Sequence, residues 1–363
     1  MRKQPFGLYP DRNPVGTQLG SIAGPLIITL LISLLAELTL RLTTLNDVIL
    51  LFGINAIMVV GYQVFVGATG ITSFGHAAFM GLGAYVGGVL SIPVSDKGVI
   101  LPHLPKFLAS RELNMVSSLL VAGVAAALLA LVAGPALMRL SGSAASIATI
   151  GLLVIVTNLL AHATTFTRGP QSLYGVPART TFFWVFGSLV LAVLASGLFK
   201  WSAFGLRAMS GRDDSIAAES SGVNVVRTRL GAFVVSAFLT GIAGALYAQL
   251  LTAFSSSSFF LPQVVVVVSM AIIGGVNSIS GALIGATSIT ILNELMRRVE
   301  NGFSIAGHVI QLPTGISIAV LGVALILFLR LKPAGLMGNN ELQIVLGRGK
   351  SIRWAMRHGR PFK

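Results

Sequence analysis

The chain has 363 residues, of which 54% are hydrophobic and only 10% are charged, and its mean hydropathy is +0.87. Soluble domains carry roughly 25% charged residues, so this composition excludes a soluble globular protein and indicates a chain embedded in a lipid bilayer. Cysteine is absent, which excludes disulfides and thiolate metal sites, and the net charge of +14 lies mainly in loops and tails, where membrane topology explains it better than nucleic-acid binding.

Apolar segments long enough to cross a membrane recur along the chain. A membrane-spanning helix needs about 20 mostly apolar residues. We therefore predict an all-α membrane bundle of about ten spans, with eight as the lower count. The predicted spans are 21–42, 46–66, 71–92, 116–138, 143–162, 181–199, 229–252, 263–278, 280–299 and 314–330. The glycine-rich third span and the short eighth and ninth spans have the composition of broken or re-entrant segments.

The distribution of basic residues predicts the orientation of this bundle. With the N-terminus in the cytoplasm, 17 of the 25 lysines and arginines fall on the cytoplasmic side and eight on the other. This agrees with the positive-inside rule and places both termini in the cytoplasm. Residues 1–20 are polar, and the apolar run after them is too long for a cleaved signal peptide and lacks a cleavage site.

The same reading divides the chain into parts. A cytoplasmic N-terminal segment (1–20) precedes the membrane domain (21–330), and a basic cytoplasmic tail (331–363) follows it. Within the membrane domain, segments 93–115 and 163–180 are predicted to be periplasmic connections. The longest cytoplasmic loop is 200–228.

The third predicted span carries a dense cluster of small and polar residues. Gly83 and Gly87 have the small-xxx-small spacing that lets membrane helices approach closely, and Gly281 and Gly285 repeat it. Close packing is the simpler interpretation, and lining of a translocation path is the alternative. His76 is ionisable and lies within a span, which makes it a candidate substrate contact, although a lone histidine is more often a hydrogen-bonded packing residue. The candidates for path lining or helix packing are Thr72, Ser73, Gly75, His76, Gly81, Gly83, Gly274, Gly275 and Gly281.

The 200–228 loop is predicted to contain a short capped helix. Asp213 and Asp214 stand where carboxylates satisfy the free N–H groups at a helix start. Gly222, followed by Val223, has the pattern of a left-handed helix end. Such a small-faced helix could fit a groove on another protein, or it could merely connect two spans.

Several motifs of this chain resemble those of one transporter family. The segment around the predicted loop helix resembles the coupling loop of ABC importer permeases. The pattern consists of Gly205, Arg207 and Ala208, then Ala217 and Ala218, then Gly222, Val223 and Asn224. Four further segments resemble those of permeases of the branched-chain amino acid type. They are GITSFGHAAFMGLGAY (70–85), LTGIAGALYA (239–248), MAIIGGVNSISGALIGA (270–286) and LKPAGLMG (331–338).

One loop departs from that family pattern. RGPQSLYGVP (168–177) resembles the Gly-Gly-Pro-x-Gly-Ile loop, but Arg168 replaces the first glycine and Ser172-Leu173 stands where Gly-Ile is usual. The order and spacing of the motifs, from about residue 55 to 338, make the resemblance specific. Chain length and the long periplasmic loop are more similar to the LivM-type permease than to the shorter LivH-type.

The resemblance implies a transport subunit of a bacterial inner membrane that has no catalysis and no cofactor of its own. A periplasmic or lipid-anchored binding protein would deliver leucine, isoleucine, valine or a related solute such as urea, a short amide or an aromatic acid. A second permease, a homologous heterodimer partner in the family pattern, would complete the pathway within membrane lipids. Two cytoplasmic ATPases holding ATP and Mg would dock on the coupling helix. The residues implied in docking are Arg207, Arg212, Asp213, Asp214, Ile216, Ala217, Ala218, Gly222 and Val223.

Two other classes of protein fit the sequence less well. A secondary transporter needs charged groups near the membrane midplane, whereas Glu37 and Glu294 both lie near span ends. An intramembrane enzyme needs a paired nucleophile and base or a metal cluster, and the spacing of the acids and histidines supplies neither. Gly349-Lys350-Ser351 is not a phosphate-binding loop, because Ile344 replaces the required first glycine.

Overall fold

The computed structural model describes residues 14–42, 46–300, 303–305, 308–310, 316–332, 335–338, 343–345 and 353–355. Residues 1–13 of the predicted N-terminal segment and much of the predicted tail lie outside the described residues. The helices are α1 (Pro14–Leu42), α2 (Asn46–Thr69), α3 (His76–Ser91), α4 (Val94–Ile100), α5 (Lys106–Ala109), α6 (Met115–Leu137), α7 (Gly142–His162), α8 (Thr164–Thr167), α9 (Phe182–Trp201), α10 (Ala203–Asp213), α11 (Ser215–Ser220), α12 (Val225–Leu251), α13 (Leu261–Gly274), α14 (Ile279–Glu300) and α15 (Ile316–Leu331).

Four short strands accompany the helices within the part of the chain that the structure describes. Strands β1 (Phe303–Ile305) and β2 (His308–Ile310) pair antiparallel between α14 and α15. Strands β3 (Gln343–Val345) and β4 (Arg353–Ala355) form a second antiparallel pair. The membrane bundle is helical as predicted, and these three-residue strands qualify the expected all-α class.

Every predicted span coincides with a helix, but not every helix is long and apolar enough to cross a membrane. Within the described residues, seven helices meet that requirement: α2, α6, α7, α9, α12, α14 and the stretch Ser256–Gly274, which joins a 3₁₀ turn to α13. The bent pair α3–α4 brings the number to eight, and the apolar parts of α1 and α15 (Ile22–Leu38 and Ala319–Phe328) are shorter. The chain is therefore multi-pass, and the count of ten stays a prediction.

The third span is shorter than predicted, and it is bent. Residues 70–75 are not helical, and α3 then runs for 16 residues, about 24 Å, before the chain turns by 120° into α4. Gly70 adopts φ +71°, a left-handed conformation that ends α2. Pro93 has no N–H group and disfavours helical geometry at Ile92, which is extended (φ −60°, ψ 134°).

Helix α12 lies at the centre of the bundle, and glycines bring it close to its neighbours. A Cβ atom at Gly83 of α3 would overlap the backbone of Gly241, and one at Gly241 would lie 2.6 Å from Cβ of Ala126 in α6. A Cβ at Gly244 would overlap the carbonyl of Met80. The contacts among α3, α12 and α6 therefore require hydrogen as the side chain at these positions.

The outer helices differ from this centre. Of the residues in the most apolar 18-residue stretch of each helix, 33–39% are buried in α6, α7 and α9, against 61% in α12 and 78% in α2. Large apolar side chains on these outer helices are exposed, for example Val132 at 79%, Leu191 at 67% and Ile147 at 66%. In a membrane protein, such faces suit contact with acyl chains or with another membrane subunit.

Hydrogen bonds between distant segments divide the connecting loops into two groups. The first group, here named the α11 end, comprises residues 67–70, Leu140, residues 200–229, Ile273, Asn277 and Leu336. Within it, Arg229 donates to the Leu140 carbonyl at 3.3 Å, and the Leu336 N–H donates to the Ile273 carbonyl at 2.8 Å.

The second group, here named the Arg179 end, comprises residues 93–115, 168–181 and 252–255. Leu173 and Phe254 form an antiparallel bridge, with N–O distances of 2.9 and 3.0 Å. Arg179 donates to the Leu113 carbonyl at 2.9 Å and forms an ion pair with Glu112 at 2.5 Å. The alternating topology predicted from the sequence assigns the members of each group to one side of the membrane.

Candidate functional site: the α11 loop and the His76 cluster

Helix α11 is a short helix with the caps that its sequence predicts. Asp214 is the N-cap residue, and its Oδ1 accepts hydrogen bonds from the N–H groups of Ile216 and Ala217, both at 3.0 Å. Gly222 adopts φ +81°, and the Val223 N–H returns to the Ala218 carbonyl at 3.0 Å. Both ends of this six-residue helix are thus satisfied locally.

The faces of α11 differ in exposure. Ile216 is 78% exposed, and Ala217 beside it is also exposed, whereas Ala218 is buried at 5%. Arg207, on the preceding helix α10, is exposed too, as is Gly222. A large aliphatic side chain that projects next to small residues offers an apolar contact to another protein.

Arg212 and Asp213 differ in role from the other predicted docking residues. Asp213 does not cap α11; it forms an ion pair with Arg212 at 2.9 Å. Nη1 of Arg212 reaches into the bundle and donates to the carbonyl of Gly67 at 2.6 Å and to Oδ1 of Asn277 at 3.1 Å. The guanidinium therefore ties α10 to the end of α2 and to the turn between α13 and α14.

The same turn binds a second cation that sequence reasoning did not single out. Nζ of Lys200, near the end of α9, donates to the backbone carbonyl of Asn277 at 3.0 Å. A lysine just after an apolar span gives a sequence signal for a membrane boundary. No local pattern connects it with an asparagine 77 residues away.

His76 lies in a closed cluster between α2, α3 and α12. Its Nδ1 lies 2.8 Å from Oγ of Ser73, and its Nε2 lies 2.6 Å from Oγ of Ser236. The rings of Tyr62, Phe65, Phe79 and Phe233 surround it with centroid distances of 5.0–5.9 Å. The gap beside it has no room for a water-sized sphere. In this conformation, His76 has the environment of a packing residue.

The predicted glycines take part in helix contacts. Gly75 lies against α7, where an added Cβ would be 2.9 Å from the Thr149 carbonyl oxygen. Gly81 lies against Phe259, where an added Cβ would be 3.1 Å from Cβ of Phe259. Gly274 and Gly281 bring the backbones of α13 and α14 together, and Gly275 opens the turn with φ +113°. Thr72 is half-buried in the non-helical segment before α3.

A polar contact between α2 and α13 was not predicted as a site. Nε2 of Gln263 donates to Oδ1 of Asn55 at 3.1 Å and lies 3.5 and 3.6 Å from the sulfur atoms of Met58 and Met80. The sequence signal is an isolated amide in a run of aliphatic residues, which typically marks a helix–helix hydrogen bond.

These features define a multi-pass membrane protein with an exposed, capped helix on a loop at one end of the bundle. Residues 44–329 match the family model described as the permease component of the branched-chain amino acid transport system, and the chain belongs to that family.

Individual relatives agree with this assignment. The chain is 26% identical over 344 residues to the high-affinity branched-chain amino acid transport permease LivM of Escherichia coli, a match that covers 84% of this chain and 72% of LivM. It is 28% identical over 133 residues to a probable LivH permease of Methanocaldococcus jannaschii, covering 34% and 42%. It is 30% identical over 146 residues to the xylose permease XylH of E. coli, covering 38% and 34%. The long match to LivM supports the predicted resemblance to the LivM type.

Proposed function

We propose that this chain is a membrane subunit of an ABC importer that moves branched-chain amino acids into the cell. The family match over residues 44–329 carries this proposal. The chain contributes helices of the translocation pathway, and a second permease contributes the rest. A binding protein delivers the amino acid, and two ATPase subunits hold ATP and Mg and supply the energy.

Helix α11 is the part of this chain that meets an ATPase subunit. Support comes from the exposed Ile216 and Ala217 and from the caps that keep six residues helical. Because Ala218 is buried and α11 packs against α10 and α12, a displacement of α11 is passed to those two helices. ATP-driven closure of the ATPases would then favour one arrangement of the bundle over another.

We place the α11 end in the cytoplasm of a bacterial cell and the Arg179 end outside its inner membrane. The hydrogen bonds within each end group the same loops that the alternating ten-span topology groups. In this orientation, 17 of the 25 lysines and arginines of the sequence fall on the cytoplasmic side, as the positive-inside rule expects. Both chain termini are then cytoplasmic.

An ion-coupled secondary transporter is less well supported. Glu294, one of the acidic residues of the spans, forms ion pairs with Arg297 and Arg298 near the end of α14, both at 2.8 Å. A carboxylate paired with two arginines of its own helix does not offer the exchangeable midplane site that ion coupling needs.

The proposal is tested by co-expression with the ATPase, second permease and binding protein genes that accompany this one. We expect a stable complex in detergent whose ATPase activity rises when the binding protein is loaded with leucine, isoleucine or valine. A chain that purifies alone and transports these amino acids unaided in liposomes would overturn the proposal. Stimulation by urea, an amide or an aromatic acid would keep the class and change the substrate.

Docking on α11 predicts a specific effect of Ile216→Asp. Removal of an aliphatic side chain from an apolar contact costs about 1.5–3 kcal/mol, so affinity for the ATPase subunit should fall tenfold or more. Val99→Asp is the matched control, because Val99 is 80% exposed but lies at the Arg179 end. Pull-down titration of the ATPase against both variants measures the effect. Equal affinities would contradict docking at α11.

A further inference from the structure

We infer that Arg212 is the positioning residue that transmits movement of α11 to the membrane helices. This inference rests on the proposed function, since it assumes that an ATPase moves α11. It assigns Arg212 to the connection between the loop and the bundle, in place of the direct contact with the ATPase that the family resemblance implies.

The first part of the connection runs from α11 to Arg212. Asp214 caps α11 with two hydrogen bonds. The preceding residue, Asp213, accepts a 3.0 Å hydrogen bond from Nε of Arg212. Only two residues, Asp213 and Asp214, therefore separate Arg212 from the first residue of α11. A shift of the N-terminus of α11 changes the position of that guanidinium with little flexible chain to absorb it.

The second part runs from Arg212 to α2. The carbonyl of Gly67 lies in the last turn of α2, where carbonyl groups have lost their helical donors. The Ile71 N–H, which would continue the helical pattern, instead meets Oγ1 of Thr69 at 3.2 Å. Nη1 of Arg212 supplies the missing donor at 2.6 Å. A cation is also favoured here by the partial negative charge of the helix end.

The third part runs from Arg212 to the turn between α13 and α14. Nη1 also donates to Oδ1 of Asn277, which lies in this turn. The turn abuts α2 directly, because a Cβ at Gly67 would lie 2.9 Å from the Val276 carbonyl. The guanidinium thus bridges two neighbouring elements, and a planar group with several fixed donors is suited to hold both at once.

The two elements reach different parts of the bundle. The non-helical segment after α2 leads to Ser73, which contacts the buried His76. Helices α13 and α14 pack backbone against backbone through Gly274 and Gly281, so they respond to a displacement of their turn as one unit. A single movement at Arg212 therefore acts on α2 and on the α13–α14 pair together.

The test uses the complete complex reconstituted in liposomes, with ATPase subunits, second permease and loaded binding protein. The variants are Arg212→Ala, Arg212→Lys, Asn277→Ala and the double variant Arg212→Ala with Asn277→Ala. Arg139→Ala is the matched control, since Arg139 is an exposed arginine between α6 and α7 and lies outside the 200–228 loop. Three quantities are measured: ATPase subunit binding, basal ATPase rate and the stimulation of that rate by loaded binding protein.

We expect Arg212→Ala to assemble with ATPase subunits and to keep the basal rate, while stimulation and uptake fall about tenfold or more, as loss of a charged hydrogen bond implies. Asn277→Ala should lose part of the stimulation, and the double variant should be no worse than Arg212→Ala, because both changes break one connection. Arg212→Lys should retain a fraction of the stimulation, and Arg139→Ala should behave as the parent does.

Three results would overturn the inference. The first is normal stimulation in Arg212→Ala. The second is a double variant in which the effects of the two single variants multiply. The third is loss of ATPase binding in Arg212→Ala, which would make Arg212 a docking residue. If Arg212→Ala does not insert stably, the Arg212→Lys and Asn277→Ala variants decide by the same criteria. Failure of the parent complex to assemble or to be stimulated would count against the proposed function instead.

Discussion

The 200–228 region at the α11 end and the loops at the Arg179 end are attached to neighbouring elements by different kinds of contact. At the Arg179 end, backbone groups of two loops pair directly, as in the Leu173–Phe254 bridge, and the ion pair of Arg179 with Glu112 adds to this. At the α11 end, long cationic side chains reach from the 200–228 region to carbonyl groups of other elements, as Arg212 and Lys200 do. Direct backbone pairing fixes the relative position of two segments more tightly than a side chain with several rotatable bonds.

This comparison teaches where movement can enter the molecule. The loop that carries α11 is attached to α2 and to the α13–α14 turn by the side chain of Arg212, and α11 carries an exposed apolar residue, Ile216. The Arg179 end also has short helices with exposed apolar residues, such as Val99 of α4, but its loops are joined to one another by backbone pairing and by the hydrogen bond of Arg179. Each prediction below disturbs the centre, one end or the other.

The largest effect is expected from a change that disrupts the packing of α3 against α12 at the centre of the bundle. In Gly244→Val, the new side chain would overlap the Met80 carbonyl, so α3 and α12 must separate. Overpacking of this kind typically costs about 1–3 kcal/mol, and more where backbone must move. We expect a lower thermal midpoint in detergent, measured by fluorescence-detected size exclusion after heating.

Gly151→Val serves as the control for that variant. Gly151 lies in α7, and a Cβ there would meet nothing within 4 Å. If both valine variants lose equal stability, the close contact of α3 with α12 does not hold the centre together.

A smaller effect is expected at the α11 end alone. Asp214→Ala removes the acceptor for two N–H groups, and loss of an N-cap costs about 1 kcal/mol. Hydrogen exchange of residues 215–220 should become faster, and ATPase affinity should fall severalfold. Asp214→Asn keeps a capping oxygen and should behave almost as the parent does. Faster exchange at 168–181 in the alanine variant would show that the two ends are not independent.

The smallest effect is expected at the Arg179 end. In Glu112→Gln, Arg179 loses an ion pair whose partners are 32% and 36% exposed, and exposed pairs are worth about 0.2–1 kcal/mol. The hydrogen bond from Arg179 to the Leu113 carbonyl remains. We expect a small loss of thermal stability that disappears at high salt, with ATPase binding unchanged. Asp96→Asn, in the same connection, is the control, and a loss equal to that of Glu112→Gln would show that the ion pair is not responsible.

Local features of the fold could be predicted from the sequence, and distant contacts could not. The caps of α11 were predictable because Asp214 and Gly222 act on backbone within four residues of themselves. Arg212, in contrast, contacts residues 145 and 65 positions away, and no local pattern indicates which carbonyl its guanidinium will find. The prediction that both aspartates start α11 was half right, because Asp213 binds Arg212 instead.

The third span and His76 show the same limit. The glycine content predicted an irregular third span, but neither the position nor the 120° size of the turn between α3 and α4 was predicted. Ser73 lies three residues from His76 and could have been proposed as its partner, whereas Ser236 lies 160 residues away. The glycines for which the sequence favoured a role in helix packing do lie at close helix–helix contacts.

The length of α12 has a mechanical consequence. This helix has 27 residues and is about 40 Å long, and it runs from Val225, just after the α11 loop, to Leu251, near the bridge of Leu173 with Phe254. If α12 tilts by about 5° as a rigid body around one end, its other end moves by about 3.5 Å. A rotation too small to break any hydrogen bond within the helix could therefore separate contacts on the opposite side of the membrane.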